Sequence, residues 1–341
     1  MNISATTAGN KSLLLKVYLL LYGTVLAVFH QYVSPISESV QWILFASTML
    51  LTGIPHGAID HLVDEQNRLQ QNKRFSMVHF LTQYLSRMAF YALLWWFFPV
   101  LAFVIFIGIS AFHFGETDLI VLPKHQKAER LLFLSYGWSL LSILLFTHQT
   151  EIRLILNSMP NFLETVAAAL VALFGPYKNY YFGACAVWLL GAFWYYRSQT
   201  TANGTAIFMV LLQGALLLFI CAQLPFLLAF SFYFGLWNSL LCLHNIRQYL
   251  QQNNQQLAWN QLVKKATLFS SIAIVGIAVL MAIGNRYSQT SDLLLWLFIG
   301  IAILTAPHME IMSTMFGIIR SNSKIAIATP RIQTLSAVTK P

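Results

Sequence analysis

Charged residues are scarce in this chain. Asp, Glu, Lys and Arg make up only 9% of its 341 residues, whereas 57% are hydrophobic, and the mean hydropathy is +0.64. A soluble domain carries about a quarter charged residues, which coat the surface that faces water. The scarcity excludes an ordinary soluble domain and predicts an all-α polytopic membrane protein, a bundle of transmembrane helices.

Other features are also missing, and each absence excludes a class of protein. The three cysteines, Cys185, Cys221 and Cys242, lie inside apolar runs, which argues against a disulfide framework and an iron–sulfur cluster. The short alternating segments of a membrane β-barrel do not occur. No small-residue cleavage site follows the first apolar run, so we expect that run to be a retained helix.

Long apolar segments are what the sequence does contain. Each approaches the ~20 residues that a helix needs to cross the hydrocarbon core of a membrane. Ten are predicted, with approximate bounds 13–33, 40–60, 77–97, 99–115, 130–148, 180–197, 204–222, 225–245, 266–284 and 291–319. The shorter segment 163–175 is predicted to be an interfacial or re-entrant helix. We expect residues 1–320 to form a single transmembrane domain and residues 321–341 a flexible cytoplasmic tail.

The basic residues predict which side of the membrane each loop faces. With the N-terminus in the cytoplasm, the outer loops hold only Arg153, Lys178 and Arg286. The cytoplasmic side holds Lys11, Arg68, Lys73, Arg74, Lys124, Lys127, Arg130, Arg197, Arg247, Lys264, Lys265, Arg320, Lys324, Arg331 and Lys340. This asymmetry predicts ten spans, both termini in the cytoplasm and a multi-pass location in the cell (inner) membrane. It also explains the net charge of +9 without a nucleic-acid partner.

Polar residues interrupt four of the predicted spans. The motifs are GIPHGAIDH (53–61), SAFHFGETD (110–118), FGLWNSLLCLHNIRQY (234–249) and LTAPHMEIM (304–312). All four spans run from outside to inside in the predicted topology, and each motif lies about 14 to 19 residues past its span's start, hence at similar depth. The candidate metal ligands are His56, His113, His244 and His308. Asp60, Glu116, Asn238 and Cys242 are candidates for a supporting or alternative role. Because polar side chains at membrane depth are costly, their common level favours a metal or cofactor site.

Two carboxylates follow the first two histidines at helical spacing. Asp60 is four residues after His56, and Glu116 is three residues after His113, so each is expected on its histidine's face. There a carboxylate would fix the tautomer of a metal-bound histidine. His61 is five residues after His56 and is expected to point elsewhere. The structural alternative is that these residues only mark span ends, where water begins.

Arg87 and four other histidines are not part of these motifs. Arg87 lies in the middle of the third span, and no partner for it is evident in the sequence. The remaining histidines lie at span ends or in loops and are predicted to be interfacial. They are His30, His79, His125 and His148.

Histidine ligands with carboxylate support suit iron, zinc or copper. An oxygen-using iron enzyme that acts on a lipid-soluble substrate fits such a site, and so does a bis-histidine haem protein. A zinc hydrolase fits less well, because the sequence has no H-E-x-x-H motif.

Three of the motifs resemble a known family. GIPHGAIDH, SAFHFGETD and LTAPHM resemble the signature segments of the Brp/Blh family, the bacterial and archaeal β-carotene 15,15′-dioxygenases, in order and spacing over residues 22–319. The resemblance implies an integral membrane enzyme that uses Fe²⁺ and O₂ to cleave the central double bond of β-carotene to retinal, the rhodopsin chromophore. It also implies iron-ligand roles for His56 and His113.

The fourth motif departs from the family pattern. The resemblance leads us to expect H-S-x-x-H where this chain has Asn238 and Cys242. Asn238 is a poor iron ligand and Cys242 is a soft one. His244 lies two residues beyond Cys242. On a regular helix its side chain is therefore rotated by about 200° around the helix axis from that of Cys242. His308 is the candidate that would complete the ligand set.

Three functional hypotheses follow from these motifs. The first is a membrane-embedded non-haem iron dioxygenase whose partners are a carotenoid, O₂ and membrane lipid, with a possible link to a retinal-binding rhodopsin. The second is a non-catalytic relative that holds a carotenoid or retinal. The third is a haem or electron-transfer membrane protein that uses the same histidines.

Overall fold

A computed structural model describes residues 3–123, 125–157, 177–252, 258–287 and 293–328, and these residues form helices without a β-strand. The α-helices are α1 (Ile3–Val28), α2 (Glu38–Thr48), α3 (Ile54–Gly57), α4 (Asp60–Gln70), α5 (Met77–Phe97), α6 (Pro99–Asp118), α7 (Gln126–Thr147), α8 (Gln149–Asn157), α9 (Lys178–Gln199), α10 (Gly204–Gln223), α11 (Phe226–Phe230), α12 (Ser239–Gln252), α13 (Trp259–Tyr287) and α14 (Leu293–Ala328). Three π-helical segments accompany them, Phe29–Val33, Met49–Gly53 and Ser231–Asn238. The predicted interfacial helix 163–175 lies outside the described residues, as do residues 329–341.

The predicted all-α polytopic fold is confirmed. Among the described residues, eight helical stretches are long and apolar enough to cross a membrane. They are Ser12–Val33, Glu38–Gln70, Pro99–Asp118, Lys127–Thr147, Gly204–Gln223, Phe226–Gln251, Trp259–Gly284 and Leu294–Ser321. Helices α5 and α9 occupy the other two predicted spans but are not among the eight. The side of the membrane that each terminus faces stays a prediction.

Polar side chains define where several helices begin. Ser76 precedes α5, His125 precedes α7 and Asn203 precedes α10, and each side chain accepts a hydrogen bond from a backbone N–H in the first turn. Such caps satisfy amide groups that have no partner within the helix. His125, predicted to be interfacial, therefore has a structural role as a cap.

Helices α6 and α7 pack with their backbones in close approach. A Cβ atom at Gly115 of α6 would lie 2.0 Å from the carbonyl oxygen of Phe133. A Cβ atom at Gly137 of α7 would lie 1.8 Å from the carbonyl oxygen of Ala111. Small residues allow such contact between helices in membranes, where close packing replaces the hydrophobic effect. This pair of helices therefore fixes the position of the histidine motif on α6.

Two π-helical segments face each other next to the polar motifs. The hydroxyl groups of Thr48 and Ser231 lie 2.9 Å apart, and the Thr52 hydroxyl donates to the Gly235 carbonyl oxygen at 2.5 Å. A Cβ atom at Gly235 would lie 2.7 Å from the Thr48 side chain, so only glycine permits this approach. π-Helical turns are frequent at functional sites. Here they lead directly into the segments that carry His56 and Cys242.

Lys16 and Arg87, two basic residues inside predicted spans, both have partners. The Lys16 ammonium group donates to the Gln213 side-chain oxygen at 2.9 Å and to the Asp118 carbonyl oxygen at 3.2 Å. The Arg87 guanidinium group donates to the Glu310 carboxylate at 2.8 Å. Lys16 thus connects α1 to α6 and α10, and Arg87 connects α5 to α14. These contacts reduce the cost of charge at membrane depth.

An apolar cluster packs beside the polar motifs. Ile59, Val63, Met312 and Phe316 are fully buried there together with Cys242. They come from the turn before α4 and from α4, α12 and α14. Cys242 is therefore enclosed by apolar side chains.

Candidate metal centre

His56, Cys242 and His308 come together from three separate helices. His56 lies on α3, Cys242 on α12 and His308 on α14, and one possible ligand atom from each lies within 4.8 Å of the others. Cys242 and His308 are buried, and His56 is half-buried. Pro307, inside α14, immediately precedes His308. Two imidazoles and a thiol are thus positioned around one point.

His308 is oriented by a carboxylate and a phenol. Its Nδ1 atom donates to Asp60 Oδ1 at 2.7 Å, and the Tyr84 hydroxyl donates to Asp60 Oδ2 at 3.1 Å. The Nε2 atom of His308 is buried and has no hydrogen-bond partner among the described residues. A hydrogen on Nδ1 leaves the Nε2 lone pair available to a metal.

The expected pairing of Asp60 with His56 is wrong, and the local backbone explains why. Helix α3 ends at Gly57, and α4 begins at Asp60, with a turn between them. The four-residue spacing therefore does not place the two side chains on one helix face. Asp60 is directed instead toward α14, where it supports His308.

His56 is oriented by the backbone. Its Nδ1 atom lies within hydrogen-bonding distance of the Gly53 carbonyl oxygen, which places the hydrogen on Nδ1. The Nε2 atom is then the one with a lone pair to offer. The ring lies edge-on to the His308 ring, with the centroids 4.7 Å apart at 89°.

His113 lies next to this group without belonging to the three-residue set. Its ring centroid is 5.6 Å from that of His308, and the side chain is 2% exposed. Neither ring nitrogen has a hydrogen-bond partner among the described residues. Buried polar atoms are normally satisfied, so an imidazole without a protein partner calls for an explanation such as a bound ion.

Glu116 does not support His113 as expected. Its carboxylate accepts a hydrogen bond from the Arg320 guanidinium group at 2.5 Å. Arg320 also lies over the Phe133 ring and 4.0 Å from the Glu129 carboxylate. A buried cation outcompetes a neutral imidazole for a buried carboxylate, because the ion pair compensates both charges. Glu116 therefore joins α6 to α14, and Arg320 is a buried helical residue.

The fourth motif contributes its cysteine to the group. The Cys242 sulfur lies 3.6 Å from the Met312 sulfur. His244, which was a candidate ligand, is half-buried, and its Nε2 atom accepts from the Gln248 amide at 2.7 Å. Two residues beyond Cys242, it lies on another helix face. Asn238 ends the π-helical segment, and its Oδ1 atom is buried without a partner among the described residues.

The remaining residue of the first motif has a packing role. His61 is buried, and its ring lies 4.9 Å from the Phe269 ring and 6.4 Å from the Phe80 ring. It does not belong to the group formed by His56, Cys242 and His308.

Sequence reasoning missed Tyr84 and Met312. Tyr84 lies on α5, which carries no histidine motif, and no spacing in the chain relates it to Asp60. Met312 is four residues after His308, a spacing that could have placed it on the ligand face. Methionine is common in membrane helices, however, so that spacing alone carries little information.

The donor set suits a transition metal. Imidazole nitrogens and a thiolate bind zinc, copper and iron, whereas calcium and magnesium prefer oxygen. The carboxylate behind His308 is the support that metal-bound histidines usually have. Unpartnered nitrogens in a buried setting add to the same conclusion.

Comparison with known proteins identifies the chain's relatives. Residues 47–316 match the model of the family described as beta-carotene 15,15′-dioxygenase, and this range includes all four polar motifs. A beta-carotene 15,15′-dioxygenase from the uncultured marine bacterium 66A03 is 21% identical over 278 residues, which cover 81% of this chain and 94% of that protein. No solved structure matches the chain.

Proposed function

The chain belongs to the β-carotene 15,15′-dioxygenase family, and on that premise we propose that it cleaves the central double bond of β-carotene or a related carotenoid to give retinal. The observation that carries the proposal is the convergence of His56, Cys242 and His308 within 4.8 Å. The enzyme would act in the cell (inner) membrane, where its substrate is dissolved. A retinal-binding rhodopsin would be a natural user of the product.

The residues present fit a ferrous ion. His308 Nε2 and both His113 nitrogens are buried without a partner among the described residues, and Cys242 adds a thiolate. We propose His56, His308 and Cys242 as ligands, with His113 as the fourth. His244 is not among them, because its Nε2 atom accepts from Gln248. Bound Fe²⁺ would supply the redox chemistry with O₂ that protein side chains lack.

The reaction balances without an external reductant. The central carbon–carbon double bond breaks, and each of its two carbons becomes an aldehyde carbon. Each aldehyde takes one oxygen atom, so one O₂ molecule supplies both and is fully consumed. A site that only binds a metal, O₂ and an apolar substrate is therefore chemically sufficient.

The protein's own groups have defined tasks in this scheme. Asp60 and Tyr84 hold the His308 ring, while the Gly53 carbonyl oxygen holds the His56 ring. The buried cluster that includes Ile59 and Phe316 excludes water from the site. Exclusion of water protects a reactive oxidant from side reactions.

A second candidate is a relative that binds a carotenoid without cleaving it. Asn238 and Cys242 favour it, because they occupy positions where the family resemblance leads us to expect histidine ligands. Intact carotenoid that co-purifies with iron-free protein would support this candidate. The haem hypothesis fits less well, since ring centroids only 4.7 Å apart leave no room for a porphyrin between His56 and His308.

Expression in cells that accumulate β-carotene tests the proposal. We expect retinal in extracts of cells that make the wild-type chain, measured by chromatography, and none with His308→Ala. Cys185→Ser is the matched control, since Cys185 lies on α9, outside the proposed site. Absence of retinal from cells that contain folded, iron-loaded wild-type protein would refute the catalytic proposal.

A further inference from the structure

A partly open apolar cavity lies between α5, α6, α7, α8, α11 and α14. Its lining is almost entirely carbon. Among the described residues that line it, the Trp95 indole alone has a hydrogen-bonding atom in its side chain. Such a cavity suits an apolar ligand and offers nothing to a polar one.

The cavity and the candidate metal centre share the same helices. Phe106 of α6 lines the cavity seven residues before His113, which is about 10 Å along the helix. Ala302 of α14 lines it six residues before His308, about 9 Å along that helix. The end of the cavity nearer the histidines is therefore about equally far from them along α6 and along α14.

Trp95 and Leu295 line the end of the cavity that is farther from the histidines. Leu295, at the start of α14, lies thirteen residues before His308, which is about 20 Å along the helix. It packs against Trp95 of α5, and both line the cavity. The cavity therefore covers roughly 9 to 20 Å from the histidine level by helical rise.

Aromatic rings form one wall of the cavity. The Phe230 and Phe234 rings stack, with centroids 4.1 Å apart at 16°. The Phe298 ring stands edge-on to Phe230, with centroids 4.8 Å apart at 86°. Flat rings in such arrangements provide contact faces for a flat conjugated chain.

We propose that this cavity binds one half of the carotenoid, including its terminal ring, and so determines which double bond lies at the metal centre. The inference rests on the proposed function and adds the structural feature that selects the bond to be cleaved. A substrate that enters until its ring meets Trp95 and Leu295 presents the bond at a fixed distance from that stop. Equal halves result when this distance matches half of the extended molecule.

The test compares two alanine-to-phenylalanine variants of the full chain. Ala302→Phe puts a ring into the cavity, whereas Ala278→Phe puts one on an exposed position of α13. Purified protein is incubated with β-carotene in detergent, and bound carotenoid is measured with and without iron. We expect Ala302→Phe to retain about tenfold less carotenoid than wild type, at unchanged iron content, and Ala278→Phe to match wild type. Equal retention by Ala302→Phe and wild type would overturn the proposal.

A second variant decides the matter if Ala302→Phe does not fold. Leu295→Ala shortens a side chain that the terminal ring of the substrate would contact. The substrate can then slide deeper into the cavity and be cleaved away from its centre. We expect aldehydes of unequal length beside retinal, separated by chromatography. Retinal as the sole product at the wild-type rate would contradict the proposal.

The two proposals fail in different ways. Wild-type protein that binds β-carotene without forming retinal, while Ala302→Phe loses binding, would refute the catalytic function and support the cavity. Retinal formation by wild type, with both cavity variants unchanged in binding and products, would support the function and refute the cavity.

Discussion

His308 illustrates how a single residue acquires its chemistry from its neighbours. Asp60 fixes its Nδ1 hydrogen, and Tyr84 in turn fixes Asp60. Nε2, which has no hydrogen-bond partner among the described residues, then keeps its lone pair for a metal. In this arrangement α4 and α5 contribute to the candidate metal centre without supplying a proposed ligand.

Asp60→Asn removes the charge that supports His308. We expect metal affinity to fall by about 10- to 100-fold, the usual cost of losing such a partner. Titration of the purified protein with Co²⁺ against a chelator measures this. Tyr84→Phe should have a smaller effect in the same direction. Asp64→Asn is the matched control on α4, because Asp64 pairs with Arg68. Equal affinities for Asp60→Asn and Asp64→Asn would contradict the assigned role.

Cys242 is the proposed ligand that distinguishes this chain from the expected family pattern. If its thiolate binds the metal, Co²⁺-substituted protein absorbs in the near ultraviolet through sulfur-to-metal charge transfer. We expect Cys242→Ser to abolish that band. Cys221→Ser, which alters another buried cysteine, should leave it unchanged. A band that persists in Cys242→Ser would exclude the thiolate as a ligand.

The sequence was informative about some of these residues and not about others. The proximity of His56 and His308 could be predicted, because a histidine at membrane depth is costly and both fall at one level. The partner of Asp60 could not, because the break between α3 and α4 is a local departure from helical spacing. Tyr84 was inaccessible to sequence reasoning, since only tertiary packing brings α5 to α4.

Among the elements, α6 and α7 form the most closely packed pair described above. Their contact depends on Gly115 and Gly137, whose missing Cβ atoms leave room for the facing backbone. Because His113 lies on α6, the geometry of this helix pair is transmitted directly to the candidate metal centre.

Gly137→Ala should therefore destabilise the protein. The new Cβ would overlap the Ala111 carbonyl oxygen, and forced repacking costs about 1–3 kcal/mol or more. The apparent melting temperature in detergent should drop accordingly. Gly108→Ala on α6 meets no atom within 4 Å and should melt at or slightly above the wild-type temperature. Matching melting temperatures for the two variants would contradict the close approach of α6 and α7.

Element positions were largely predictable, because a membrane-spanning helix requires a long apolar run. All ten predicted spans coincide with helical stretches of the structure. The π-helical segments Met49–Gly53 and Ser231–Asn238 were not predicted. They depend on contacts between two parts of the chain, such as that between Thr52 and Gly235, which hydropathy does not encode.

For the whole molecule, the apolar exterior agrees with a surface that faces lipid. Large apolar side chains such as Leu51, Val187 and Trp194 are more than 70% exposed. In water such a surface would cause aggregation, whereas in a bilayer it is the favourable one. Family membership and the site between helices are consistent with a lipid-soluble substrate.

The predicted orientation can be tested by cysteine labelling. A single cysteine at Lys73, between α4 and α5, should react with a membrane-impermeant maleimide only after the cells are opened. A single cysteine at Lys178, at the start of α9, should react in intact cells, because the positive-inside rule places it outside. The reverse pattern would require the opposite topology.

The central claim is that His56 and His308 hold the metal on which the family's chemistry depends. Elemental analysis of purified wild-type protein beside His56→Ala and His308→Ala tests it most directly. We predict about one iron per wild-type chain and a loss of iron from both folded variants. Iron content unchanged in both variants would contradict the account.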